Sequence, residues 1–316
     1  MSKSRAHYWF IGPAVALMIL LLIMPIFVAA TLSMTDYSLG NSGFNWVGIE
    51  NYEKLFSRRS YQKMFSASLT YVLLVVPISV ALGLGSALLI SSLRIGGEMY
   101  KAVFFLPVMA TLLAMAIVWE FALNPIVGVV NDVLRSGCDK SLIYGLLSGS
   151  WLGYEPTTSW YGAACIKTFP LWLGDKHYAL ATIAFIVIWQ GFGFNMVLYL
   201  AGLTSVPREL YHAAHMDGAD SAWERFKLVT WPMLGPTNVF VITISSIRSF
   251  QVFDTVEALT GGGPSKSTYV MVYAMFEKGV KQNLLGIGSA ITIVFLAFVL
   301  ILTLVQVYFV NRKVHY

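Results

Sequence analysis

The stretch ELYHAAHMDGADSAWERFKLVTWP, residues 209–232, is polar and rich in charge, and it lies between two strongly apolar segments. Apolar segments on both sides indicate that the chain leaves a membrane before this stretch and enters it again afterwards. Gly218 divides the stretch into two parts that can each form a short helix. We therefore expect an all-α membrane protein that presents this loop to something in the cytosol.

The composition of the 316 residues is typical of a polytopic membrane protein. Hydrophobic residues make up 57% of the chain and charged residues 12%, against about a quarter charged in an ordinary soluble domain. Six apolar runs are long enough to cross about 30 Å of hydrocarbon, and because their apolar residues are continuous they are read as helices. The six predicted spans are residues 10–34, 68–93, 102–123, 179–203, 234–253 and 287–310.

The distribution of lysine and arginine predicts the orientation of these spans. If the N-terminus is cytosolic, the short inner connectors carry the higher density of basic residues, which is the positive-inside pattern. Both termini are then cytosolic, and residues 204–232 form an inner loop. The first run is long for a signal peptide, so we expect it to be a retained helix. The net charge of +5 is spread along loops and does not indicate a nucleic-acid partner.

The longest outer segment, residues 124–178, contains both cysteines, Cys138 and Cys165. A disulfide is permitted if this side is oxidising. Two free thiols are an equally open alternative, because spacing in the sequence does not determine the Cα separation that a bridge requires. We treat residues 1–316 as one transmembrane domain with its core at residues 68–310.

Residues that could carry catalysis or hold a metal do not cluster in the sequence. His212 and His215 are three apart on a predicted helix, but no third ligand lies nearby, so we expect no metal site. The segment TGGGPSKST, residues 260–268, is rich in glycine but lacks the Gly-Lys-Ser/Thr order of a Walker loop. No nucleophile elbow or convincing carboxylate pair is visible. We expect a protein that is not an enzyme and has no cofactor in this chain.

The polar loop carries side chains that suit contact with a partner. Small residues allow close approach, and aromatic residues can anchor an interface. In chain order these side chains are Leu210, Ala213, Ala214, Gly218, Trp223, Phe226 and Pro232. An ordinary cytosolic connector is the alternative interpretation.

This loop resembles the EAA loop of bacterial ABC-importer membrane subunits. Ala213, Ala214 and Gly218 stand at the spacing of that motif, and Pro232 closes it. His212 occupies the position of the usual Glu, which puts a salt bridge from that position in doubt. One extra residue lies between Gly218 and Pro232, and we expect a turn just after Gly218 to absorb it.

The resemblance covers nearly the whole chain. The segments WVGIENYEKLF, FFLPVMA, SVPRELYHAA and FDTVEALTGGGP, which begin at residues 46, 104, 205 and 253, are similar to the first permease subunit of maltose and glycerol-phosphate importers. This implies the type I importer permease fold and a location in the bacterial inner membrane. It also implies a second permease, two ATPase subunits that bind ATP and Mg²⁺, and a periplasmic or lipid-anchored solute-binding protein.

The function implied by this resemblance is ATP-driven import of a carbohydrate by alternating access. The sugar itself is open, and an anionic one such as a uronate oligosaccharide or a sugar phosphate is included. A stand-alone ion-coupled secondary sugar carrier is the alternative, although we see no internal repeat of the kind that many carriers contain. A membrane enzyme is the least favoured class.

Polar residues inside predicted spans are candidates for the pathway, since polarity in hydrocarbon is costly and usually faces a cavity or a partner. The fourth span offers Gln190 and Asn195, and the fifth offers Ser245, Ser246, Arg248, Ser249 and Gln251. The resemblance to the maltose-type permease implies seven sugar-contacting positions, some of them the same: Gln190, Gly191, Phe194, Ser245, Arg248, Ser249 and Val252.

Several of these residues have a second interpretation. Arg248 could pair with Asp254 or with an acid of the partner permease, or it could meet an anionic substrate. Gly193 could serve helix packing alone. Trp119 and Glu120 could be interfacial residues with no role in transport.

Overall fold

The computed structural model describes residues 6–41, 43–93, 95–133 and 171–313. Within these ranges the secondary structure is helical, apart from one isolated bridge between Thr35 and Trp46. The all-α prediction is therefore confirmed. Cys138 and Cys165 lie outside the described residues, so the disulfide alternatives stay open.

The described helices follow the apolar pattern of the sequence. In chain order they are α1 Ala6–Met18, α2 Met24–Leu32, α3 Glu50–Ser57, α4 Arg59–Ser92, α5 Gly97–Phe105, α6 Leu112–Ala122, α7 Ala179–Thr204, α8 Arg208–Met216, α9 Ala222–Arg225, α10 Trp231–Met233, α11 Gly235–Phe250, α12 Asp254–Leu259, α13 Met271–Phe276 and α14 Leu285–Lys313. A 3₁₀ turn follows α5, and π-helical turns follow α1, α9 and α13, at Leu106–Met109, Ile19–Ile23, Phe226–Thr230 and Glu277–Lys281.

In the described part of the chain, five helical stretches are long and apolar enough to cross a membrane. They are Ile11–Leu32, Arg59–Ser92, Ala179–Thr204, Gly235–Leu259 and Leu285–Val305. A sixth crossing is formed if α5 with its 3₁₀ turn and α6 count as one span, and the two parts are bent by 93°. The six predicted spans are recovered on that basis.

The structure corrects two of the predicted spans. The span predicted at residues 102–123 is not one continuous helix, because the backbone is extended at Ala110 and Thr111. Pro107 lies in the 3₁₀ turn just before this break, and a proline has no N–H for a helical hydrogen bond. The second span begins at Arg59 rather than at residue 68, since a polar turn of helix precedes its apolar run.

Contacts between Cα atoms group the chain into two compact units. One comprises Met1–Phe65 and Val270–Val305, and the other Ser66–Tyr269 and Gln306–Tyr316. The prediction of a single domain is not tested by this grouping and stays a prediction.

In the first unit, a buried asparagine joins α3 to the end of α2. The Asn51 side-chain amide donates to the carbonyl oxygens of Ser33 at 2.9 Å and Thr35 at 2.8 Å. Those carbonyls lie at and beyond a helix C-terminus, where no backbone donor is available. Asn51 thus satisfies groups that would otherwise be left buried without a partner.

In the second unit, α7 is the central helix and packs on α5, α6, α11 and α12. The core beside it consists of Ala87, Ile90, Met196, Tyr199, Leu234 and Val241. Small residues let the helices approach closely, as in many membrane proteins. A Cβ added to Gly202 of α7, for example, would lie 2.6 Å from the Thr237 hydroxyl of α11. This close packing positions the polar residues of α7 and α11 against each other.

Candidate functional site

A cavity of about 280 Å³ opens among α4, α6, α7 and α11 of the second unit. Its wall combines hydroxyls, amides and one guanidinium with aliphatic side chains, although all of these helices belong to membrane-length segments. The lining residues are Val75, Ser79, Val108, Leu112, Val187, Gln190, Gly191, Asn195, Ser245, Arg248, Ser249 and Gln251.

Most of the predicted pathway residues meet in this cavity. Six line it, and they are Gln190, Gly191, Asn195, Ser245, Arg248 and Ser249. Phe194 and Val252 are not part of the wall. Val252 is buried at 6% exposure and follows the last turn of α11. Phe194 lies under the guanidinium of Arg248, so that face of its ring is already covered.

Among the residues that the structure describes, Arg248 is the one charged side chain in the cavity wall. Its guanidinium carbon lies 4.4 Å from the centre of the Phe194 ring, which is within the range of a cation–π interaction. The residue is exposed, and the described part of the chain contains no carboxylate within 4.0 Å of it. Of the alternatives left open for Arg248, the pairing with Asp254 is therefore not formed. A stacked guanidinium keeps its edge donors available for a planar anion.

Asn195 and Ser245 join α7 to α11 beside the cavity. The Ser245 hydroxyl donates to the Asn195 side-chain oxygen at 3.1 Å, and both residues are buried. A hydrogen bond of this kind satisfies two polar groups that lipid could not solvate. The pair therefore sets the relative rotation of the two helices as well as the polarity of the wall.

Gln190 connects the cavity to the bend between α5 and α6. Its side-chain amide donates to the carbonyl oxygen of Ala110 at 3.1 Å. The extended backbone at Ala110 and Thr111 interrupts the helical hydrogen bonds, so this carbonyl needs another donor. Thr111 supports the restart of the helix by accepting from the Ala114 N–H at 3.3 Å. One N–H of the Gln190 amide is thus engaged by the backbone, and its second N–H and its oxygen are left for a ligand.

Gly191 and Gly193, in the segment WQGFGFN at residues 189–195, have different surroundings. A Cβ on Gly191 would meet nothing within 4 Å, in keeping with its position on the cavity wall. A Cβ on Gly193 would collide with the Phe104 carbonyl group and would lie 3.3 Å from the Phe105 Cα. The packing interpretation of Gly193 is confirmed.

Not all of the residues that line the cavity were identified from the sequence. Ser79 and the aliphatic residues of α4, the 3₁₀ turn, α6 and α7 line the cavity without having been selected. A serine in the middle of an apolar run was the available signal for Ser79.

Trp119 packs edge-to-face on Phe185 and Trp189, with 5.6 Å between ring centres in each case. It thus has aromatic partners within the helix bundle.

The polar loop folds into a defined turn between its two short helices. Gly218 adopts φ of +89°, a left-handed conformation that favours glycine, and its N–H donates to the His215 carbonyl. Ser221 then begins α9 with a capping box, in which its hydroxyl accepts from the Glu224 N–H and the Glu224 carboxylate accepts from the Ser221 N–H. These Ser221 hydrogen bonds hold the pKa of the Glu224 carboxyl below its ordinary value.

The predicted loop residues differ in whether they are accessible. His212, Ala213, Gly218, Trp223 and Pro232 are exposed, and Phe226 is half-buried. Ala214 is buried in a small cluster with Val206, Ala219, Val229 and Tyr211. Its predicted contact with a partner is therefore not supported, because its methyl group already packs inside the loop.

A π-helical turn at Phe226–Thr230 follows α9. An extra residue in a helix is commonly accommodated as such a π-bulge. The sequence placed the extra residue of the loop just after Gly218, and the π turn offers a second position that can absorb it. Around this turn the rings of Trp223 and Phe226 stack with centres 5.4 Å apart.

Membrane-length helices, a polar cavity among those of the second unit and a structured polar loop are typical of a membrane transport subunit. The chain belongs to the family described as binding-protein-dependent transport system inner membrane component, which matches residues 80–315. The prediction of an importer permease is thereby confirmed, and the chain is a multi-pass inner-membrane transport component.

Relatives match almost end to end. The chain is 27% identical over 304 residues to the probable ABC transporter permease protein YurN of Bacillus subtilis. This alignment covers 96% of this chain and 94% of YurN. It is 26% identical over 311 residues to the sn-glycerol-3-phosphate transport system permease protein UgpA of Agrobacterium fabrum, with 98% and 96% covered.

Solved structures share the fold. A crystal structure of a bacterial alginate ABC transporter, in complex with a periplasmic protein that carries an alginate pentasaccharide, contains a chain that matches with a TM-score of 0.77 at 19% identity. The match covers 98% of this chain and 95% of that one. A second structure, of a bacterial ABC transporter that imports the acidic polysaccharide alginate, matches with a TM-score of 0.75 at 21% identity. The predicted permease fold is confirmed by these matches.

Proposed function

We propose that this chain is one of two membrane subunits of an ATP-driven importer that takes up an anionic carbohydrate from a solute-binding protein. In this proposal a second permease completes the pathway and two ATPase subunits bind ATP and Mg²⁺ below it. Both termini of the chain are cytosolic. The substrate passes by alternating access, in which the pathway opens first to one side of the membrane and then to the other.

The observation that carries the proposal is the polar cavity among membrane-length helices. Uncompensated polar groups are costly in hydrocarbon, so a cluster of them around an open space is typical of a solute pathway. The hydroxyl of Ser249 and the amides of Gln190 and Gln251 suit sugar oxygens, because each can donate or accept a hydrogen bond.

Arg248 supports the anionic part of the proposal. Its charge faces the cavity and has no carboxylate partner among the described residues. A guanidinium matches the geometry of a carboxylate or a phosphate. The substrates named for similar proteins are also anionic, since UgpA is named for sn-glycerol-3-phosphate and the matching structures belong to a transporter of acidic alginate.

The substrate experiment compares Arg248→Gln with the parent protein in a reconstituted importer. Loss of one charge-assisted hydrogen-bonded contact is worth about 1.5–3 kcal/mol, which corresponds to a loss of about 10- to 140-fold in uptake of an anionic sugar at limiting concentration. Uptake of a neutral sugar of similar size is expected to change little. Ser249→Ala is the matched control in the same wall, and it removes a polar group but no charge. If Arg248→Gln reduced the uptake of neutral and acidic sugars equally, the assignment of an anionic substrate would be wrong.

The coupling part of the proposal assigns the exposed surface of the loop, including His212, Ala213 and Trp223, to the ATPase subunit. Since a histidine replaces the usual acid, this contact depends on shape and aromatic packing more than on an ion pair. Purification in a mild detergent tests it, and an ATPase subunit is expected to co-purify. Ion-driven uptake by this chain alone, with no ATPase attached, would support the secondary-carrier alternative.

A further inference from the structure

Two adjoining cavities lie beside the polar loop, at the C-terminal ends of α4 and α7. One has a volume of about 520 Å³ and lies against α9, and the other has a volume of about 770 Å³ and lies against the start of α5. Ser91, Leu203 and Tyr211 line both cavities. We refer to the two together as the loop groove.

The loop groove has apolar walls on the side of the membrane helices. Leu88, Leu93 and Leu203 come from the last turns of α4 and α7, or directly after them. On the side of the loop, the stacked pair Trp223 and Phe226 closes it, and Trp223 is 70% exposed. Aromatic side chains with one apolar side and one wet side are enriched where a membrane meets water.

The charges in the loop groove favour an anion. The charged residues of its wall are Glu98, Lys101, Arg208 and Arg225. Lys101 is neutralised by Glu98 at 2.6 Å. Arg208 and Arg225 have no carboxylate within 4.0 Å among the described residues, and one Arg225 guanidinium nitrogen donates to the Asp220 carbonyl oxygen at 2.7 Å. Among the described residues, the wall therefore carries two guanidinium groups that form no ion pair, although Arg225 also attracts the nearby Glu224 carboxylate.

The helices that form the loop groove indicate its position across the thickness of the membrane. Leu88 and Ser92 belong to the last turn and a half of the membrane-length helix α4, and Leu203 to the last turn of the membrane-length helix α7. A cavity lined by the ends of two spans lies at the level of the lipid headgroups. A small soluble anion would leave the leucine walls against water, whereas a phospholipid covers them with hydrocarbon and brings its phosphate to the guanidinium groups.

We infer that the loop groove binds an anionic phospholipid of the cytosolic leaflet, with its phosphate at Arg208 and Arg225 and its hydrocarbon against Leu88 and Leu203. The orientation rests on the proposed function, in which the loop is cytosolic. Basic pockets between membrane helices on the cytosolic side are typical sites for anionic headgroups. A lipid here contacts both the ends of the spans and the loop that meets the ATPase.

The test measures binding of phosphatidylglycerol by native mass spectrometry. The full chain, alone and assembled with its partner subunits, is purified in phosphatidylcholine-containing micelles and titrated with phosphatidylglycerol. Each basic residue near a membrane surface contributes about 1 kcal/mol to attraction of anionic lipid, which is about fivefold in affinity. We expect one tightly retained phosphatidylglycerol, bound about fivefold more weakly by Arg208→Gln or Arg225→Gln and about 25-fold more weakly by the double variant. Arg59→Gln is the matched control, because it removes an exposed arginine at the opposite end of α4.

Three outcomes would overturn the inference. Unchanged retention in the double variant would show that the two arginines do not hold the lipid. Displacement by inorganic phosphate alone would show a site for a free anion. Retention by the isolated chain but not by the assembled importer would show that a partner subunit covers the loop groove. Failure to find an ATPase partner would count against the proposed function. It would not affect this test, because lipid binding is measured on the chain itself.

Discussion

Gly193 and Gly191 permit a matched test of how closely α7 packs on α5. The two glycines are two residues apart in the same helix, so alanine changes the intrinsic helix propensity of both positions by a similar amount, about 1 kcal/mol in favour of alanine. Their surroundings differ, because only Gly193 touches the backbone of another helix. The difference between the two alanine variants therefore isolates the packing term.

The magnitude follows from the contact distances. In Gly193→Ala the new methyl group would lie 2.9 Å from the Phe104 carbonyl carbon, whereas carbon atoms make their best contact at about 3.5–4.0 Å. Neither backbone can yield by rotating a side chain, so α5 and α7 must separate by about 1 Å. A gap of that size loses a quarter to a half of the attraction at each neighbouring contact. Overpacking of this kind costs about 1–3 kcal/mol.

The assay is reversible unfolding of each variant in mixed micelles, followed by tryptophan fluorescence as a denaturing detergent is added. Gly193→Ala is expected to be about 1–3 kcal/mol less stable than Gly191→Ala, and Gly191→Ala at least as stable as the parent chain. Equal stability of the two variants, or a less stable Gly191→Ala, would refute the close approach at Phe104. Gly191→Ala can still reduce transport, because its methyl group points into open space at the cavity wall.

Two further predictions concern the bend and the loop. Gln190→Leu leaves the Ala110 carbonyl without its donor in a poorly solvated site, so we expect about 1–3 kcal/mol of lost stability in the same unfolding assay; an unchanged midpoint would remove the proposed support of the bend. Gly218→Pro forces a residue with φ near −65° into a position at +89° and deletes the N–H bonded to the His215 carbonyl. The variant should still insert into the membrane but lose co-purification with the ATPase and transport, and normal values for both would count heavily against a coupling role of the loop. Gly218→Ala, which keeps the N–H, is its milder control.

Much of the fold was accessible from the sequence because lipid imposes a simple rule. A backbone that crosses hydrocarbon must satisfy its own hydrogen bonds, so each long apolar run is a helix and its length shows that it can span. The fourth predicted span, residues 179–203, matches the helix Ala179–Thr204 almost to the residue. The bend at Ala110 was not predicted, because apolar residues continue through it and the donor that makes it tolerable, Gln190, lies 80 residues away.

The candidate site was predictable in its residue types more than in its contacts. Intramembrane polar residues identified Asn195 and Arg248 as unusual, and both line the cavity. The side chains that Asn195 and Arg248 contact could not be predicted from the order of residues in the sequence. For Arg248 the sequence left open Asp254, an acid of the partner permease and an anionic substrate, and it did not indicate that the guanidinium stacks on Phe194 of the neighbouring helix.

The class of this protein is apparent from its residue order, since hydropathy and loop motifs are local properties that do not depend on a folded structure. Whether a small residue borders open space or a close helix contact depends instead on tertiary packing. Gly191 and Gly193 look alike in the sequence, yet one faces a cavity and the other a carbonyl group. In the loop, Ala213 and Ala214 are neighbours, yet one is exposed and the other is buried. The reason is geometric, because successive residues of a helix point about 100° apart and the environment of each direction depends on elements far away in the chain.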